Sequence, residues 1–176
     1  MTEGVFLNTP MVPYLGTQGE LPADPLCDGL TAILHSGFIE FNGVWLFQRE
    51  FKRYVRDEVQ AGVRDASYYE YSKNKFHVED LCEGDLFRSA LSFLHHFSVK
   101  WRNEVGTGCD GVVAFQVEDG VPNGAIFTFY THRKEVAPVI DVSDMGSFAQ
   151  PTVLLRIRAE WRTLDRYSAY ELDETL

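Results

Sequence analysis

The sequence predicts an α+β domain in which two or three helices pack on one face of an antiparallel sheet. Hydrophobic residues recur at helical spacing between residues 81 and 104, and they alternate with other residues at the two-residue period of strands between residues 112 and 162. An Asn-Gly pair between two β-rich runs adds a hairpin near the N-terminus. Helices followed by a run of neighbouring strands are typical of the α+β class.

The composition fits one globular domain over residues 1–176. The chain is 45% hydrophobic and 14% aromatic, which is enough apolar material for a single packed core. Residues 1–25 are predicted to form an irregular Pro/Gly-rich arm, because closely spaced breakers prevent a long regular element. These breakers are Pro10, Pro13, Gly16, Gly19, Pro22 and Pro25.

The helical half is predicted from spacing and capping signals. A short helix is expected over residues 26–35, and Asn42-Gly43 is expected to form the turn of a hairpin over residues 38–47. Residues 48–63 return to helical spacing, whereas the Tyr-rich segment 66–76 is expected to be a loop. Asp80 and Glu83 have the spacing of a capping box, which predicts a long helix from residue 81 to about residue 104.

The C-terminal part predicts a meander of four strands. Residues 112–117 and 125–130 alternate around a cluster of breakers, residues 136–142 form a shorter strand, and residues 152–162 alternate again. Arg156 and Arg158 lie opposite the hydrophobic face of the last strand, so that outer face is expected to meet solvent. This order of elements resembles the nuclear-transport-factor-like class, whose helices and curved sheet enclose a pocket; the resemblance is one of architecture and implies no activity.

Three local patterns that resemble catalytic or cofactor sites are interpreted as structural. Gly106–Gly111 matches G-x-G-x-x-G, but it follows a helix and precedes a strand, the reverse of the order that a phosphate site needs. Gly106 or Gly108 is instead expected to end that helix in a left-handed conformation. His95 and His96 are adjacent on a helix and point about 100° apart, so one helix cannot present both to a metal. Cys109, beside Asp110, is interpreted as a small semi-buried residue. We therefore predict no catalytic residue, cofactor or metal site.

The cysteines and the N-terminal charges bear on location. Cys27, Cys82 and Cys109 are odd in number and widely spaced, a pattern that argues against a disulfide framework and against a zinc site. The first 48 residues contain no Lys or Arg, and no window approaches the roughly 18 apolar residues of a membrane span. These features predict a cytoplasmic protein that does not contact a membrane.

The net charge leads to the first functional hypothesis. A formal charge of −10 repels nucleic acid and attracts basic proteins. The hypothesis is a binding or inhibitory protein, of the immunity, antitoxin or nucleic-acid-mimic type, that neutralises a basic partner and is not an enzyme. Carboxylates and tyrosines are the candidate contact residues: Glu79, Asp80, Glu83, Asp85, Tyr68, Tyr69 and Tyr71.

Two other hypotheses remain open at this point. The first is a small-molecule-binding or enzymatic domain with an aromatic pocket that contains Tyr130, His132 or Asp141. The second is an assembly subunit that self-associates through a free strand edge. A row of basic residues is also a candidate anion-binding patch, consisting of His132, Arg133, Arg156, Arg158 and Arg162.

Overall fold

A computed structural model describes residues 4–15, 21–49, 51, 65–134 and 136–159, and it confirms the α+β class. The strands are β1 (Gly4–Leu7), β2 (Phe38–Phe41), β3 (Val44–Phe47), β4 (Phe76–His77), β5 (Cys109–Glu118), β6 (Val121–Thr131) and β7 (Thr152–Ile157). The α-helices are α1 (Val12–Leu15), α2 (Asp28–His35), α3 (Ala66–Lys73) and α4 (Leu86–Glu104), and short 3-10 turns lie at Thr9–Met11 and Val142–Ser147. No helix in these ranges is long and apolar enough to cross a bilayer.

The main sheet has five antiparallel strands in the order β1-β7-β5-β6-β4. The predicted meander is wrong, because β7 pairs with β5 rather than with β6, its predecessor in the chain. The connection from β6 to β7 therefore crosses the outer face of the sheet. The strand predicted over residues 136–142 is absent there, and Val142–Ser147 forms a 3-10 helix instead.

The N-terminal segment is more regular than the predicted arm. Gly4–Leu7 forms the edge strand β1, which pairs with β7 from Gly4 opposite Arg156 to Leu7 opposite Val153. Met11 is fully buried in the main core. Pro10 and Pro13 follow this strand and lie within the 3-10 turn Thr9–Met11 and helix α1, so these breakers do not prevent regular structure.

Helix α4 covers the inner face of the sheet. Its residues Phe93, Phe97 and Trp101 are fully buried at helical spacing and contact the aromatic rings of β6. A Cβ at Gly111 would lie 2.8 Å from the side chain of Leu94, so glycine lets the helix approach β5 closely. This contact explains one glycine of the Gly106–Gly111 stretch by packing.

The outer face is covered rather than solvated. Ile140 and Met145 of the crossover pack on Val112, Tyr130 and Leu154 of the sheet and form a second small core. The expectation of a solvated outer face is therefore wrong. It failed because the sequence pattern of β7 does not show which other segment lies over its arginine-bearing face.

The β2–β3 hairpin forms as predicted, as a separate two-stranded sheet. Asn42 and Gly43 have φ values of 52° and 76°, the left-handed conformations that a type I′ turn requires. The Trp45 N–H on the free edge of β3 donates to Glu70 of α3 at 2.7 Å, and the Phe47 N–H donates to Asn74, just beyond α3, at 3.1 Å. These side chains take the place of a neighbouring strand.

Three further predictions about the helices are resolved. The Tyr-rich segment is a helix, α3, rather than a loop, and Asp65 caps it by accepting from the Tyr68 N–H at 2.9 Å. Helix α4 begins at Leu86 with Asp85 as its cap, later than predicted, because Gly84 has a φ of 91° and interrupts the turn before it. The glycine stop after α4 is confirmed at Gly106, with a φ of 74°. The helix predicted over residues 48–63 lies mostly outside the described residues.

Candidate functional site

Four exposed carboxylates gather near the N-termini of α2 and α4, and we call them the carboxylate patch: Asp28, Asp80, Glu83 and Asp85. Asp80, Glu83 and Asp85 lie on the turns that lead into α4, and Asp28 begins α2. Negative side chains are stabilised at helix N-termini, and Asp28 and Asp85 both occupy such positions. The sequence prediction missed Asp28, because it is 52 residues from Asp80.

A disulfide between Cys27 and Cys82 joins the two segments of the carboxylate patch, with 6.1 Å between the Cα atoms. Gly29 lies against the same turn, where a Cβ would be 2.3 Å from the Leu81 carbonyl oxygen. Asp28 lies between these two contacts. The prediction of unpaired cysteines is wrong, since a sequence separation of 55 residues conceals the contact. This pairing also removes one argument for a reducing, cytoplasmic location.

The nearby cation Arg88 is already paired. Its Nε donates to Asp24 Oδ2 at 2.6 Å and its Nη2 to Oδ1 at 2.9 Å, a bidentate geometry. The hydrogen bond from Arg88 lowers the pKa of Asp24, and the His96 ring contacts the Asp24 carbonyl at 2.9 Å. Arg88 and Asp24 thus neutralise each other, and the carboxylate patch keeps its negative charge.

Glu79 turns away from the patch towards the sheet. Its Oε2 accepts the Ala125 N–H at 3.0 Å, and its Oε1 lies 3.0 Å from Nδ1 of His77. Burial raises the pKa of Glu79, but the hydrogen bonds to its carboxylate outweigh burial and leave the pKa below its ordinary value. Glu79 therefore holds the turn against β6.

The predicted tyrosines do not join the carboxylate patch. Tyr68 is 61% exposed, Tyr69 lies under the Lys73 ammonium at 5.5 Å from the ring centre, and Tyr71 is half-buried. Helix α3 contacts β6 at Thr128 through Tyr71 and at Thr131 through Ser67, whereas Glu79 contacts β6 at Ala125. The tyrosines therefore lie on helix α3, a different element from the turns that carry the carboxylate patch.

Arg156, the centre of the predicted anion patch, is bonded to a buried carboxylate. Asp110 and Arg156 are opposite each other on β5 and β7, and both are nearly inaccessible. Arg156 donates to the two Asp110 oxygens at 2.8 and 2.7 Å. Tyr130 donates to Asp110 at 2.7 Å, and His132 Nε2 lies 2.8 Å from the same carboxylate in a close ion-pair contact that is poorly directed for a hydrogen bond.

The charge states of this network follow from its contacts. Burial raises the pKa of Asp110, but Arg156, His132 and Tyr130 together outweigh burial and leave that pKa below its ordinary value of 3.8. Burial and the adjacent Asp110 charge raise the pKa of Tyr130, so its hydroxyl remains a donor. The same hydroxyl accepts the Ile140 N–H at 3.1 Å, which fixes the start of the crossover.

Arg133 belongs to a second buried network. Its guanidinium donates to both oxygens of Glu70, at 2.7 and 3.1 Å, and to the Gly43 carbonyl at 2.7 Å. Glu70 is fully buried, and sequence reasoning missed it because it lies among tyrosines. Arg158 is exposed, and Arg162 lies outside the described residues. The guanidinium groups of Arg133 and Arg156 thus hold strands and helices together through buried carboxylates.

The remaining candidates do not converge. Cys109 is fully buried, and burial raises the pKa of its thiol well above the ordinary value, so the reactive thiolate is disfavoured. Asp141 is exposed and accepts the Ser143 N–H at 2.9 Å. Across the described ranges, no three His, Cys, Asp or Glu side chains come close enough to hold a metal ion.

Two adjoining depressions form a trough beside β5. The first, of about 550 Å³, lies on the outer face between α3 and the crossover and is lined by residues such as Tyr71, Ala114 and Phe148. The second, of about 420 Å³, lies where β7 begins and includes Glu118. Ala149 and Gln150 line both, so the two depressions adjoin each other. No sequence signal marked this trough, because the crossover that forms its wall was predicted to be a strand.

Comparison with known proteins gives a family but no activity. The chain is similar to the Uncharacterized protein PM0498 of Pasteurella multocida (strain Pm70), with 28% identity over 95 residues. That match spans 53% of this chain and 59% of the relative, so the chain covers about three fifths of the relative's length. No solved structure matches the chain. The profile of the Uncharacterized protein PM0498 family matches residues 6–165, and the chain therefore belongs to that family.

Proposed function

We propose that this chain is an acidic binding protein that neutralises a basic protein partner, in the manner of an immunity protein, an antitoxin or a nucleic-acid mimic. The observation that carries the proposal is the carboxylate patch. Its four exposed carboxylates come from two chain segments that a disulfide joins, and the adjacent Arg88 is already paired with Asp24. Negative charge held in a fixed arrangement speeds association with a basic surface and favours one orientation on it.

The buried ionic groups support a recognition role at the surface. Asp110 and Glu70 are each surrounded by donors that join different strands and helices, so their charges stabilise the fold. The carboxylates of the patch, by contrast, are exposed and can face a partner. With a net charge of −10, the same surface would repel nucleic acid.

Carbodiimide crosslinking tests this proposal, because it joins carboxylates to lysine amines without a spacer. An extract of the source cells would be crosslinked to the wild-type protein, and the products would be identified and mapped by mass spectrometry. We expect one basic polypeptide joined through the carboxylate patch. The triple variant Asp28→Asn, Asp80→Asn and Glu83→Gln should weaken its binding about tenfold, since each exposed charge pair contributes roughly 0.2–1 kcal/mol.

The matched control carries the same change in charge elsewhere on the surface: Glu40→Gln, Asp119→Asn and Asp144→Asn, all of which are exposed positions. Binding by the control should stay within about twofold of the wild type at physiological salt, because distant exposed charges are screened. Equal loss of binding in the two triple variants would show attraction by net charge only. That result, or crosslinks that map away from the patch, would refute the proposal.

A further inference from the structure

We propose that the trough beside β5 binds an extended peptide segment that carries an apolar residue at one end and a Lys or Arg at the other. The trough runs along β5 from Val112 to Glu118, six residue steps, or about 20 Å. That length matches about six residues of extended chain. A compact small molecule would fill only one of its two depressions.

The edge of β5 provides the backbone contacts for such a segment. Pairing between β5 and β7 ends at Ala114 opposite Thr152, and the Phe115 N–H donates to the Pro151 carbonyl at 2.9 Å. Within the described residues, β5 pairs only with β6 from Gln116 to Glu118, so the edge open to an added strand is three residues long and the rest of the trough offers side-chain contacts. A strand edge without a neighbour offers N–H and C=O groups to an added strand, the mode by which many proteins bind extended peptides.

The two ends of the trough differ in chemistry. Tyr71, Ile140 and Phe148 form an apolar end around the small side chain of Ala114. The other end holds the exposed Glu118 carboxylate, which accepts a hydrogen bond from Asn123 at 2.8 Å. None of the described residues that line the trough is Lys or Arg. Charge complementarity therefore favours a basic residue in the peptide and disfavours an acidic one.

This inference rests on the proposed function only for the basic character of the partner. The carboxylate patch lies on the turns before α2 and α4, while the trough follows β5 and the crossover. The two sites can therefore be tested separately. Crosslinking through the patch without peptide binding would refute only the inference about the trough. Peptide binding without crosslinking through the patch would refute only the proposed function.

Fluorescence polarisation with labelled hexapeptides tests the inference on the full chain. Four probes with blocked ends would be compared. The leucine–lysine probe has leucine near the start and lysine near the end. The other three differ from it by one change each: glutamate in place of lysine, serine in place of leucine, or a central proline. We expect the leucine–lysine probe to bind at least tenfold more tightly than the other three. The proline probe should fail because it loses a backbone donor.

Two variants connect binding to the trough. Glu118→Lys should reverse the preference, so that the glutamate probe binds more tightly than the lysine probe, and this exposed site leaves the core untouched. Ala114→Trp should fill the apolar end and weaken the leucine–lysine probe about tenfold. Glu40→Lys, on the distant hairpin, is the matched control and should leave the order of the probes unchanged. Equal effects of Glu118→Lys and Glu40→Lys on the order of the probes would refute the inference. Absence of probe binding at 1 mM would also refute it, as would saturable binding of a hydrophobic dye at the trough without peptide binding.

Discussion

Replacing Asp110 by Asn tests whether the buried network stabilises the fold. Asp110 is fully buried and lies within 2.8 Å of donor atoms on Arg156, Tyr130 and His132. The substitution keeps the shape of the side chain and removes its charge. The Arg156 guanidinium, 5% exposed, is then left in the interior without a counter-charge.

The expected cost is about 3 kcal/mol in the free energy of unfolding. Removing one partner of a buried ion pair costs roughly 3–5 kcal/mol, and the low end applies because the Asn carbonyl still accepts one hydrogen bond. For a domain of this size such a loss lowers the Tm by about 6–12 °C. The exposed control Asp144→Asn should change stability by less than about 0.5 kcal/mol.

Denaturant unfolding of a double-mutant cycle measures the pairing directly. We expect Arg156→Met to lower the free energy of unfolding by a similar amount. The double variant that carries both Asp110→Asn and Arg156→Met should lose at least about 1 kcal/mol less than the sum of the two single losses. Additive effects, or a loss below about 1 kcal/mol for Asp110→Asn, would show that the network is not a stabilising ion pair.

The same variant has a predicted pH signature. The pKa of Asp110 in the folded protein lies below its ordinary value of 3.8, so the unfolded chain takes up this proton first as the pH falls. The stabilisation by Asp110 is therefore complete above about pH 5 and is lost as the pH falls through the folded pKa. Over that acid range, the free energy of unfolding should fall less for Asp110→Asn than for the wild type. An equal fall with decreasing pH in the two proteins would contradict this assignment.

Three further outcomes are expected. Glu70→Gln should cost about 2 kcal/mol in the same unfolding assay, because a fully buried carboxylate with several donors loses its charge, and a cost equal to that of the Asp144 control would contradict this role. Cys27→Ser should lower stability by about 4 kcal/mol under oxidising conditions, since the bond to Cys82 closes a loop of 55 residues, and it should match the reduced wild type. Cys109 should resist alkylation in the native protein and react on unfolding, because burial raises its thiol pKa, whereas rapid native labelling would show an exposed thiol.

Local chemistry predicted several elements well. Asn42-Gly43 specified its hairpin because positive φ values are a property of those two residues. The core face of α4 followed from the spacing of large apolar residues such as Phe97 and Trp101, which a helix places on one side. Gly106 or Gly108 was predicted to end that helix, and Gly106, with a φ of 74°, does so.

The candidate site was predicted less well, because its members meet across the chain. Asp80, Glu83 and Asp85 were predicted as contact residues and are exposed. Asp28 joins them only through the packing of α2 on the turn before α4. Glu79 was assigned to the same surface but turns towards Ala125 of β6, a contact that charge and spacing cannot show.

The sequence by itself determined the α+β class, the hairpin, the long helix and the acidic character of the surface, since each depends on residue type and short-range spacing. The tertiary structure alone decided the order β1-β7-β5-β6-β4, the disulfide between Cys27 and Cys82, and the burial of Arg156 against Asp110. These depend on which distant segments face each other, and hydrophobic period specifies only which face of a segment is buried. For the same reason Arg156, which the sequence places on an outer face, is buried against Asp110, whereas Asp80, Glu83 and Asp85 are exposed.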